Sequence, residues 1–170
     1  MTIDVTDPDF RHAIGLIDAG DCDALAALLD AHPRLLVDTV PLADDSAGAY
    51  FANPKLIWFV AENPVRNDKL PLNIAAVVET LVAAAKKHAV TGVDTDLDYT
   101  LALVASGRVA RESGVQAELI ETLIRAGADA NGAVKAALGH REVAAAECLD
   151  RCGADLTLQL AAGLGRTADV

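Results

Sequence analysis

Aromatic residues are scarce in this chain: one Trp, two Tyr and three Phe among 170 residues, or 4%. A β-sandwich draws heavily on aromatic and β-branched side chains, so this composition points instead to closely packed helices. Cysteine is sparse too. Cys22, Cys148 and Cys152 are too few, and odd in number, for a disulfide framework. No apolar run exceeds six residues, as in Leu56-Ile57-Trp58-Phe59-Val60-Ala61, whereas a membrane span needs about 18 or more. The start, Met1-Thr2-Ile3-Asp4-Val5-Thr6-Asp7, lacks the basic-then-apolar order of a secretory signal. Bases are outnumbered, 14 against 25 acids. A net charge of -11 argues against nucleic acid and anionic membrane as partners, since both attract Lys and Arg. A cytoplasmic protein is the expectation.

What the chain has in quantity is alanine, 34 residues, within a hydrophobic fraction of 52%. That fraction is too high for disorder, and the length suits one domain with a sizeable core. The charge is uneven. Residues 1–54 hold ten Asp and two Arg, which is -8 of the -11.

Helix signals come in pairs. Asp7-Pro8 reads as an N-cap and first-turn proline, followed by Ile14 and Ile17 and closed at Ala19-Gly20. A second helix over about 21–32 places Leu25, Leu28 and Leu29 on one face until Pro33 stops it. After a loop rich in Asp, Asn53-Pro54 opens a short apolar helix to Ala61. Pro71 opens a longer one to His88, with Ile74, Val77, Val78, Leu81 and Val82 at helical spacing. Thr91–Asp96 reads as a turn. Further pairs are expected at about 98–106 with 115–126 and at about 133–138 with 141–151, and a last helix from Leu158 to Leu164.

A period underlies these pairs. Ala126-Gly127-Ala128-Asp129 recurs 26 residues later as Cys152-Gly153-Ala154-Asp155, and Leu138-Gly139-His140 recurs as Leu164-Gly165-Arg166. Ala19-Gly20-Asp21 occupies the same kind of turn in the first pair. One pair cannot bury its own apolar face, whereas stacked pairs can, and alanine lets them approach closely. Glu118–Asn131 resembles the second helix and Gly-Ala-Asp-x-Asn turn of an ankyrin repeat. Leu160–Arg166 and Gly139-His140-Arg141-Glu142-Val143 are similar to that family's first helix and Gly-His turn. The resemblance runs from about Phe10 to Val170 and is strong over 115–166. It implies an all-α fold, an ankyrin-like α-solenoid of stacked antiparallel helix pairs, with approximate repeats 7–33, 53–90, 97–130, 131–156 and an incomplete 157–170. The chain departs from the family where Tyr99-Thr100-Leu101-Ala102 and Leu158-Gln159-Leu160-Ala161 replace its Thr-Pro-Leu-His opening. Loops 62–70 and 106–114 are longer than the family's. The stop at Val170, inside a repeat, suggests a fragment or an open end covered by another molecule, such as a second copy.

Candidate chemistry is thin. Cys148 and Cys152 share a helix face, but only His140 lies near them, short of a metal site's ligand count. His12, His32, His88 and His140 are scattered, and Cys22 with His32 lacks a third group. Asp94, Asp96 and Asp98 lack the calcium loop's central glycine and terminal glutamate, and helix capping by Asp96 or Asp98 is the plainer reading. Gly163-Leu164-Gly165 has no lysine to cradle a phosphate. No cofactor or metal is expected.

Two features carry binding hypotheses. Trp58-Phe59 with Tyr50-Phe51 gathers four of the six aromatics, as core or as surface anchors such as Trp58. Arg66 and Lys69 in one long loop, and Arg108 and Arg111 in the other, fall side by side in a stacked array. They form either a positive patch for a carboxylate or phosphate, or solvated loops neutralised by Asp68 and Glu112. Ankyrin repeats imply recognition of a protein partner without catalysis. The alternative is a regulatory module in which the basic loops bind an anionic peptide or small anion.

Overall fold

The computed structural model describes residues 4–42, 54–155 and 157–166. Helix α1 (Pro8–Ala19) begins where the Asp7 carboxylate accepts from the backbone N–H of Asp9 at 2.8 Å and of Phe10 at 3.2 Å. It ends at Gly20, whose φ of 70° is left-handed and whose carbonyl accepts from Asn73 Nδ2 at 2.8 Å. A Cβ at Gly20 would stand 2.2 Å from Asn73 Oδ1, so both conformation and space require glycine there. Helix α2 (Cys22–Ala31) follows. Pro33 stops it as expected, but the chain then makes a 3₁₀ turn, Pro33–Leu36, which buries Leu35.

The short apolar helix is 3₁₀ rather than α and covers Leu56–Ala61. Helices α3 (Ile74–Lys87), α4 (Val93–Ala105), α5 (Arg108–Glu112), α6 (Gln116–Ala126), α7 (Ala130–Gly139), α8 (Val143–Arg151) and α9 (Leu158–Gly163) complete the order. Three expectations are corrected. Val93–Asp96 forms the first turn of α4, not a separate turn, because Leu97, Thr100, Leu101 and Val104 bury one continuous face. The 106–114 loop contains α5, which buries Val109 and Ala110. Helix α7 starts three residues earlier than its apolar spacing suggests, with the Asp129 carboxylate accepting from Asn131 N at 3.0 Å. Asn53, Tyr50, Phe51 and Thr167–Val170 lie outside the described residues.

The helices pack in two rows. In the first, α1 meets the 3₁₀ helix, which meets α4, then α7, then α9. In the second, α2 meets α3, then α6, then α8. The first four elements of the first row each touch a second-row companion, as α4 touches α6 and α7 touches α8. One apolar core runs between the rows, from Phe10, Ile17 and Leu25 through Phe59, Leu81 and Leu101 to Leu119, Ala133, Leu149 and Leu160. Small residues set the spacing: a Cβ added to Gly163 of α9 would lie 2.3 Å from Leu138 Cδ2. Among the described residues there is no β-strand, only isolated antiparallel bridges at Val5–Leu42 and Thr39–Lys55. No described helix is long and apolar enough to cross a membrane.

The 26-residue period has a bonded counterpart. Ala128 N donates to Leu123 O, and Ala154 N to Leu149 O, both at 3.0 Å. Gly127 and Gly153 take positive φ at equivalent places. The turns are then tied to their neighbours: Asp129 N donates to Asp98 Oδ1, and Asp155 N to Asn131 Oδ1, each at 2.7 Å. Asp98 therefore holds the next turn, and neither it nor Asp96 caps α4, which starts at Gly92 without a side-chain cap.

Candidate functional site

The two long loops do lie side by side. Leu70 N donates to Ser113 Oγ at 3.1 Å, and Arg108 Nη2 reaches Asp68 Oδ1 at 2.5 Å. The first loop is built around Glu62. Its side chain is fully buried, with 0% exposed, and Oε1 accepts from the backbone N–H of Arg66 at 2.9 Å, of Asn67, and of Asp68 at 3.1 Å. Oε2 lies 2.9 Å from Arg66 Nη2, an ion pair without hydrogen-bond alignment. Arg66 is itself largely buried. Its guanidinium stacks 4.7 Å from the Phe59 ring centroid and pairs with Asp18 at 2.5 Å. A buried carboxylate needs such compensation, because desolvating an unpaired charge costs several kcal/mol, roughly.

Ion pairs continue from turn to turn. Arg108 also holds Glu112 at 2.6 Å, and Arg111 pairs with Glu112 at 3.4 Å and with the buried Glu142. Farther along, Arg166 meets Asp150 at 2.6 Å. Arg66, Arg108 and Arg111 thus face carboxylates, including Asp68 and Glu112. Only Lys69 of the four bases, exposed, has no ion pair among the described residues. The edge is a chain of matched charges joining successive pairs of helices. Beside it, Asn63, Val65, Leu103, Ser106, Arg108 and His140 line an open cleft of ≈ 390 Å³.

The aromatic residues divide. Phe59 is core, at 0% exposed. Trp58 is half-buried and stacks on Tyr99 of α4, with ring centroids 4.4 Å apart and planes tilted by 49°. Aromatic rings favour such tilted contacts, and the pair ties the 3₁₀ helix to α4. Tyr99 remains 40% exposed, so the pair presents a ring surface on the first row. Trp58 Nε1 is buried without a hydrogen-bond partner among the described residues. One turn before Tyr99 stands Asp96. Burial pushes its carboxyl above the ordinary value, with Lys55 opposing. Asp96 and Lys55 edge a small cavity of ≈ 30 Å³ walled by Leu56, Ile57, Leu81 and Val93. The Lys55 ammonium donates to the Val37 carbonyl.

Trp58 stands out in the sequence and Tyr99 does not, since contacts between helices far apart along the chain leave no signal in spacing. Glu62 and Glu142, both buried, carry no mark in the sequence that sets them apart from the other acids. The cysteines are free thiols. Burial, then Cys152 beside it, pushes Cys148 up to about 11. Among the described residues no three His, Cys, Asp or Glu side chains are grouped to hold a metal ion. No family model, curated protein or solved structure matches this chain.

Proposed function

We propose that this chain is a non-enzymatic scaffold of ankyrin-like repeats that recognises a protein partner through the exposed side of its first-row helices. The observation that carries the reading is the Trp58–Tyr99 stack. It spans two consecutive first-row elements and leaves a large ring exposed. Aromatic side chains of this kind supply much of the energy at protein interfaces. The equivalent Gly-Ala-Asp turns, 26 residues apart and tied to their neighbours, support the assignment to ankyrin-like repeats. The anion-binding alternative has less behind it. Arg66, Arg108 and Arg111 already hold carboxylates, so an anion would have to displace them.

Affinity capture from the native host with three baits separates these readings. A partner retained by the wild type and by Arg108→Ala/Arg111→Ala, and lost with Tyr99→Ser, supports recognition by the helix face. Retention by Tyr99→Ser with loss from the double arginine variant would transfer the function to the loop edge.

A further inference from the structure

Three features lie along the N-terminal half of α4 and the 3₁₀ helix packed on it. The ring is exposed and backed by Trp58. The Asp96 carboxylate stands one turn earlier on α4, partly desolvated, with the Lys55 charge acting on it. The cavity beside Asp96 is walled by aliphatic side chains. Residues 1–54 carry a net charge of -8, and α1, within that segment, packs on the 3₁₀ helix that bears Trp58.

We propose that the Trp58–Tyr99 face takes a lysine or arginine side chain from a basic segment of the protein partner. This rests on the helix-face reading above and names the chemistry of its partner. The electron-rich ring face attracts a cation within about 6 Å of its centroid. Asp96 supplies the counter-charge, and the aliphatic stem of the incoming side chain lies along Ile57 and Val93 of the cavity wall. Lys55 is the one base edging this cavity among the described residues. Its ammonium is tied to Val37 O, so its repulsion comes from a fixed position. The net charge of -11 steers a basic segment toward the protein before contact.

Trp58 is the only tryptophan, so its emission reports directly on the site. The probe is a nine-residue Lys/Ala peptide without tryptophan, titrated at low salt and followed by Trp58 fluorescence and by calorimetry. Saturable binding with a change in Trp58 emission is expected. Tyr99→Leu should weaken it by about fivefold or more, the scale of a cation–π contact at a partly exposed site, while Tyr99→Phe keeps the ring and binds as the wild type. Asp96→Asn should weaken it similarly. Asp23→Asn makes the same change of charge on an exposed position of α2 and should weaken it less than about twofold. Circular dichroism confirms that each variant is folded. Equal losses for Asp96→Asn and Asp23→Asn, or no loss for Tyr99→Leu, would overturn the proposal. So would spermidine binding as tightly as the peptide, which would replace a protein segment by any polyamine. A Glu/Ala peptide that perturbs Trp58 where the Lys/Ala peptide does not would overturn the partner's chemistry and leave the helix-face reading standing. Heat of binding for either peptide without any Trp58 response would overturn both.

Discussion

Glu62 offers the severest test of how the long loop is held. Glu62→Gln keeps the length and one acceptor oxygen but removes the charge. In the wild type that carboxylate accepts three backbone N–H bonds and faces Arg66 from a fully buried position. Hydrogen bonds to a charged group are worth about 1.5–3 kcal/mol, and neutral ones about 0.5–1.5 kcal/mol, so three weakened bonds cost roughly 3 kcal/mol. Relief from burying the charge returns part of this, and Arg66 keeps Asp18, leaving a net loss of about 2–3 kcal/mol. For a chain of this length that lowers Tm by about 4–12 °C. Urea unfolding followed by circular dichroism measures it, with the m-value unchanged. Arg66→Met should cost about 3 kcal/mol or more, because it leaves the buried Glu62 and the nearby Asp18 without their counter-charge. Combining the two should cost less than their sum by at least about 1 kcal/mol. A Glu62→Gln variant within about 0.5 kcal/mol of the wild type, with additive double-variant energies, refutes the reasoning.

Gly20→Ala should destabilise by about 2 kcal/mol, from left-handed strain and displacement of Asn73, whereas Gly15→Ala, with nothing within 4 Å of its Cβ in mid-helix, should stabilise by about 0.5–1 kcal/mol. Thermal melts of both check the contrast. Asp96 has a folded value raised above the ordinary 3.8 by burial. Its contribution to stability is therefore present below the unfolded value and lost as pH rises through the folded one. Asp96→Asn should match the wild type in stability near pH 3 and exceed it at pH 7, and a difference independent of pH would contradict this. Iodoacetamide at pH 7 should label the partly exposed Cys22 and Cys152 and spare Cys148, whose thiolate fraction is on the order of 10⁻⁴ at a value of about 11. Mass spectrometry of the alkylated peptides reads the result, and rapid labelling of Cys148 would show that its helix opens freely.

Much of the architecture is legible along the sequence because its signals are local. Asp7-Pro8 and Gly20 bound α1, and the two Gly-Ala-Asp turns mark a period whose bonds repeat at the same offset. Helix α5, at five residues, is too short to display periodicity. The first turn of α4, Val93-Asp94-Thr95-Asp96, has a turn-like composition, and only packing of Leu97 and Leu101 draws it into the helix. The site is less legible still. Nothing in Glu62-Asn63-Pro64-Val65-Arg66 says that the carboxylate turns inward, or that Arg66 lies over Phe59. Four bases in two loops leave open a positive patch or neutralisation by Asp68 and Glu112, and nothing in the sequence points to Asp18 and Glu142, 48 and 31 residues from Arg66 and Arg111, as further partners. Trp58 and Tyr99 are likewise neighbours only once the first row is stacked.

Site-specific photo-crosslinking in the native host tests the central proposal, recognition by the first-row face, most directly. One variant carries p-benzoylphenylalanine at Tyr99 on α4, and the other carries it at Glu79, exposed on α3 in the second row. Discrete adducts to one protein from position 99, absent from position 79, are the predicted result. Adducts to that protein from position 79 alone would place recognition on the opposite row and contradict the account.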